Sequence, residues 1–112
     1  MKTELFNYNN TIYTIIIGKN KNENWAIIDD ASGTDLWFHI SEMPSCHVLL
    51  KNDEKLRLVP RQVIKHCAYL CKINSAAKTV PKCVIVYATI SNVKKTDIVG
   101  QVTVTQSKMV SV

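Results

Sequence analysis

Residues 35–51 read DLWFHISEMPSCHVLLK, two short runs with opposite habits on their two faces. In the first run Leu36, Phe38 and Ile40 alternate with Asp35, Trp37 and His39; in the second, Cys46, Val48 and Leu50 alternate with His47, Leu49 and Lys51. Side chains two apart share one face of a strand, so each run predicts a β-strand with one apolar face. With Ser41–Ser45 as a hairpin loop, Ile40 faces Cys46 and His39 faces His47. One face of that hairpin is wholly apolar and belongs to a core. The other collects a carboxylate, an indole, two imidazoles and an ammonium. Folding does not ask for that combination, so it is the first place to look for chemistry.

Working outward, Met1–Tyr8 and Thr11–Ile17 bracket Asn9-Asn10 and predict an opening hairpin. Residues 20–31 predict a short helix: Asn20 caps it, Glu23 stands in capping-box position, Trp25 and Ile28 point one way at i, i+3, and Gly33 ends it. Asn52–Leu58 is a charged surface loop. Pro60 opens the clearest helix, reaching about Asn74, with Val63, Ile64, Cys67, Leu70 and Cys71 on its buried stripe and Arg61, Lys65, Tyr69 and Lys72 along another side. Pro81–Ile90 suits a central strand, Ser91–Asp97 holds Lys94-Lys95 in a turn, Val99–Thr105 alternates as a strand, and Lys108–Val112 adds an edge strand. Few strands are followed by a helical crossover. The expectation is an α+β fold, a mostly antiparallel sheet with two helices in a single compact domain over residues 1–112.

A chain of 112 residues is enough for one domain with one modest core. No apolar run approaches the roughly 18 residues of a membrane span, and the acidic, Asn-rich start does not read as a signal peptide. The expected location is the cytoplasm, with the nucleus open. Cys46, Cys67, Cys71 and Cys83 form no CxxC, and Cys67 and Cys71 fall on a helix's apolar stripe, where a free thiol behaves as a small hydrophobe. Neither a disulfide framework, a metal nor a cofactor is expected. The net charge of +5 hides a split: residues 1–54 carry four bases against eight acids, net −4, and residues 55–112 carry ten bases against one acid, net +9. Such asymmetry suits a polyanionic partner.

Asp35, His39 and His47 invite an enzymatic reading, because a carboxylate beside an imidazole supports acid–base chemistry. No nucleophile motif accompanies them, and GxSxG and the P-loop are absent. Asp35 and His39 also lie four residues apart, about 13 Å along a straight strand, too far to share one ion. The competing use is a platform for a base or sugar, built from Trp37, His39 and His47, with lysines on the phosphates. Gly18-Lys19-Asn20-Lys21, between a strand and a helix start, offers backbone N–H groups and two cations to a phosphate.

Several segments, in order, carry a resemblance: Gly18-Lys19-x-Lys21-x-x-Asn24, Asp35-Leu36-Trp37-Phe38-His39, His47-Val48, Cys67-Ala68-x-Leu70-x-Lys72-x-Asn74-Ser75, Val86-Tyr87, Asn92-Val93-Lys94-Lys95 and Val99-Gly100-Gln101-Val102. Together they resemble the NFACT-R domain, the RNA-binding module of the NEMF-type ribosome quality-control factors, and in particular its small stand-alone form, the coiled-coil domain-containing 25 type. The resemblance implies RNA binding, with tRNA or rRNA as the partner and the ribosome nearby. The stand-alone form continues into a charged coiled coil and this sequence stops at Val112, so binding alone is carried over. The expected function is a non-catalytic nucleic-acid-binding module. Its interface would comprise Lys19, Lys21, Trp37, His39, His47, Lys65, Lys72, Lys94 and Lys95. The alternatives are an RNA-processing or RNA-modifying enzyme using Asp35, His39 and His47, and an adaptor whose basic face meets an acidic protein.

Overall fold

The computed structural model describes all of residues 1–112. Strands β1 (Lys2–Tyr8) and β2 (Thr11–Ile17) form the opening hairpin. Asn9 and Asn10 both take positive φ, 52° and 66°, which fits a two-residue turn matched to strand twist and a residue type that tolerates left-handed backbone. Helix α1 (Lys21–Asp29) follows, then β3 (Leu36–Ile40), β4 (Val48–Leu50) and helix α2 (Arg61–Ile73). The chain ends with β5 (Val84–Thr89), β6 (Val93–Lys95), β7 (Val102–Val104) and β8 (Lys108–Ser111). Six strands make one antiparallel sheet in the order β1-β2-β4-β3-β5-β8, and β6 and β7 make a separate ribbon. The α+β fold with two helices and an antiparallel sheet is the one the sequence predicts. Neither helix is long and apolar enough to cross a membrane.

The register of β3 on β4 pairs Leu36 with Leu50, Trp37 with Leu49 and Phe38 with Val48, and the same register sets His39 against His47. The two faces therefore divide as their alternation requires. Leu36, Phe38, Ile40, Cys46, Val48 and Leu50 join Ile15 and Ile17 in the main core, closed by the stripe of α2. Trp37 and Leu49 turn the other way and pack under Ile27 of α1, with Ile90 and Val93. The sheet is thus covered by α2 on one side and by α1 with the β6–β7 ribbon on the other. A slip of one residue would drive both imidazoles under α2 without partners, at about 2 kcal/mol or more apiece.

Four details differ from the sequence expectation. The buried residues of α1 are Asn24 and Ile27, while Trp25 and Ile28 are only half-buried, because Asn24 accepts the His47 N–H and Ile27 packs with Trp37 and Leu49. Helix α1 stops at Asp30, whose N–H bonds the carbonyls of Ala26 and Ile28, before Gly33 is reached. Lys94 and Lys95 lie on strand β6 and not in a turn. The strand expected over 99–105 is confined to Val102–Val104, because Gly100 has a φ of 87° and turns the chain close over Lys21.

Candidate nucleic-acid interface

A cleft of about 860 Å³ opens between the start of α1, the loop joining β3 to β4 and the tip of the β6–β7 ribbon. Trp37, His39 and His47 line it, with Lys19 and Lys21 at the α1 side. Five of the nine residues expected at a nucleic-acid interface are therefore gathered here. Asn20 caps α1 by accepting the Glu23 N–H at 2.9 Å, and Glu23 reaches back to the Lys19 N–H at 2.9 Å. This capping holds the backbone that carries Lys19 and Lys21.

The rings form a packed floor. Trp37 and His39 lie side by side, centroids 5.6 Å apart and nearly parallel, and His47 stands edge-on to both at 5.2 Å. His39 donates Nδ1–H to the carbonyl of Ile40 at 2.6 Å; a carbonyl only accepts, so that nitrogen carries the proton and Nε2 is left as an acceptor. Burial pushes the His39 pKa below the usual imidazole value, and the Ile40 hydrogen bond opposes this only in part. Burial, helped by the neighbouring His39, pushes His47 down to about 3. Both rings are therefore neutral at pH 7. His47 Nδ1 and Trp37 Nε1 are buried and without a hydrogen-bond partner, in side chains 1% and 2% exposed.

His47 is fixed by its backbone. Its N–H donates to Asn24 Oδ1 at 3.1 Å, and its carbonyl accepts from Gly18 N–H at 3.0 Å. A Cβ on Gly18 would overlap Asn24 Oδ1, so glycine is required for this close approach. Cys46, also on the cleft wall, exchanges thiol hydrogen bonds with Cys71 through their carbonyls at 3.5 Å in both directions. That pair ties the loop to α2.

The other expected residues lie elsewhere. Lys94 is exposed on the outward face of β6. Lys95 points towards α1, forms an ion pair with Asp29 and sits 4.9 Å from the Trp25 ring, while Trp25 Nε1 bonds the Gln101 carbonyl at 3.3 Å. Lys95 thus clamps the ribbon to α1. Lys65 is exposed on α2, across the sheet from the cleft. Lys72 is half-buried and donates to the carbonyls of Pro81 and Val112 at 3.4 and 3.3 Å. Asp35 does not line the cleft: it accepts from Ser32 N–H, Asn52 N–H and Lys51 Nζ.

The family model described as the NFACT protein RNA binding domain matches residues 2–108. The chain belongs to the NFACT RNA-binding-domain family. This NFACT domain is 40% identical over 91 residues to coiled-coil domain-containing protein 25 of Bos taurus, an alignment covering 79% of the chain and 44% of that protein. It is 33% identical over 87 residues to the Dictyostelium discoideum homolog, covering 75% of the chain and 42% of that protein. The chain thus spans less than half the length of the relatives it matches. The C-terminal part of the fibronectin/fibrinogen-binding protein from Streptococcus suis shares the fold, with a TM-score of 0.84 at 24% identity over the whole of this chain and 45% of that one.

Within the NFACT domain the sequence segments acquire separate jobs. Gly18 and Asn24 position His47, Trp37 and His39 make the floor, and Gly100-Gln101 brings the ribbon onto α1. Asn24, Trp25 and Gln101 were not predicted as site residues. Asn24 and Gln101 did stand in the family segments, and the spacing of Gly18 to Asn24 was the available signal. Trp25 carried none, because its partners lie 70 or more residues away.

Proposed function

We propose that this domain binds RNA, with an unpaired nucleotide of tRNA or rRNA held in the cleft, and that it does so without catalysis. Membership of a family named for RNA binding supports a nucleic-acid-binding module. The finer reading is carried by one observation: the packed rings of Trp37, His39 and His47 line one cleft that Lys19 and Lys21 border. The half-buried His39 offers a base or ribose its ring and a neutral Nε2 acceptor. The lysines contribute attraction to phosphates, and Lys94 extends that field along the ribbon. Lys95 acts indirectly, by holding the ribbon in place. The enzymatic alternative needs Asp35 on the imidazoles, and Asp35 is committed to Lys51 and two backbone N–H groups. With RNA of the translation machinery as ligand, the protein would act in the cytoplasm or nucleus, close to the ribosome.

The test is an anisotropy titration with tRNA and with single-stranded RNA at two salt concentrations. Affinity should fall steeply with salt, and Lys19→Glu with Lys21→Glu should weaken binding by about tenfold or more. Absence of binding at low salt, or indifference to the double substitution, would overturn the proposal.

A further inference from the structure

Across the sheet from the cleft, beside the start of α2, lies a second hollow of about 500 Å³. Four cations border it: Lys55 and Arg57 from the loop before α2, Arg61 from the helix's first turn and Lys108 from β8. All four are exposed, and Tyr87, stacked on Phe38 with centroids 5.5 Å apart, puts a phenol in the wall. No carboxylate lines the hollow, and none of the four cations forms an ion pair, whereas Lys2, Lys51 and Lys95 each hold an acid. Helix α2 adds to the imbalance. It has no capping side chain and no acid in its first turn, yet Arg61 stands at its positive end.

Four like charges converging from three segments, with no counter-charge, repel one another, and an external anion relieves that repulsion. Two of them are arginines, whose planar fork matches a phosphate in bidentate fashion. The hollow has one phenol and no ring cluster like the cleft's floor, so it suits backbone and not bases. We propose that this hollow is a second site for the phosphodiester backbone of RNA, so that the domain grips RNA on both faces of its sheet. The proposal rests on the RNA-binding reading of the cleft. Lys65, one turn beyond Arg61 and exposed, extends the same track along α2.

The experiment uses the isotope-labelled chain, titrated with a short single-stranded RNA and separately with inorganic tripolyphosphate, read by amide NMR shifts. RNA affinity is measured in parallel over a range of salt. RNA should shift amides around Arg57, Arg61 and Lys108 as well as those around Trp37 and His47. Arg57→Ala with Arg61→Ala should remove the first set and keep the second, and flatten the log–log salt slope by about 1.4, the value for two phosphate contacts on a single strand. Arg57→Lys with Arg61→Lys should restore most of that slope, and unchanged shifts elsewhere report intact folding.

Shifts confined to the cleft, or a slope unaltered by the double alanine variant, overturn the second site and leave the cleft reading standing. Shifts confined to the hollow overturn the grip on both faces together with the cleft reading, and leave the hollow as the domain's RNA site. Saturation by tripolyphosphate with no response to RNA overturns the RNA assignment, making the hollow a site for small phosphates. No response to either ligand overturns both readings.

Discussion

The carboxylate of Asp35 sits 3.2 Å from Lys51 Nζ across neighbouring strands, and Trp37 separates it from His39 and His47 along the same face. The acid that sequence proximity offers to the imidazoles is thereby a structural group, 2% exposed, that also anchors the loops at Ser32 and Asn52. Asp35→Asn should lower stability by about 2–3 kcal/mol, less than for a fully buried pair because Lys51 is partly exposed. RNA affinity of the folded variant should change less than twofold. Urea unfolding and anisotropy on the same sample check both halves; loss of binding with stability intact would return Asp35 to the functional site.

The histidines make stability depend on pH in a defined direction. Folding holds His47 at about 3, far below the usual imidazole value near 6.5. Between those values the unfolded chain takes up a proton that the folded one refuses, so this contribution is fully present above about pH 6.5 and is lost as pH falls towards 3. From pH 7 to pH 5 the loss from His47 alone should be about 2 kcal/mol. His39 acts in the same sense. Denaturant titrations at both pH values should show a shallower dependence for His47→Phe, which keeps a ring and removes the titrating nitrogens. RNA affinity should stay flat from pH 8 to pH 7; a rise over that range would mean that an imidazolium grips the phosphate.

The indole N–H of Trp37 can be tested with its ring nearly preserved. Trp37→Phe removes a buried donor that has no partner in the free protein. The variant should cost the fold no more than about 1.5 kcal/mol, because the lost volume is partly offset by removing the unsatisfied group. RNA binding should weaken by about threefold or less, because the buried N–H has no surface to offer a ligand and the phenyl ring keeps most of the floor. A loss of about tenfold or more would show that the ligand reaches the indole N–H.

Neighbouring lysines on β6 should behave differently. Lys94→Glu, on the outward face, should weaken RNA binding and steepen no unfolding curve. Lys95→Met breaks the Asp29 pair and the Trp25 contact. It should cost about 1 kcal/mol, the sum expected of one exposed ion pair and one exposed cation–π contact. Faster amide exchange over the β6–β7 ribbon would localise that loss. If both variants act only on binding, Lys95 is a direct contact.

Much of this molecule was legible in its sequence. Alternation over residues 35–51 determined the faces and register of β3 and β4, down to His39 against His47. The Asn9-Asn10 turn, the capping by Asn20 and Glu23, the buried stripe of α2 and the edge strand β8 followed equally from local pattern. These features depend on side chains a few residues apart, and backbone periodicity encodes them directly. Tertiary structure alone decided the rest. It committed Asp35 to Lys51, drew Lys95 onto Asp29 and Trp25, and divided the lysines between two faces of one sheet. It also brought Lys55, Arg57 and Arg61 together with Lys108. Burial made two titratable rings neutral. Desolvation and charge pairing act through space between segments far apart in the chain, so no local pattern of residues carries them.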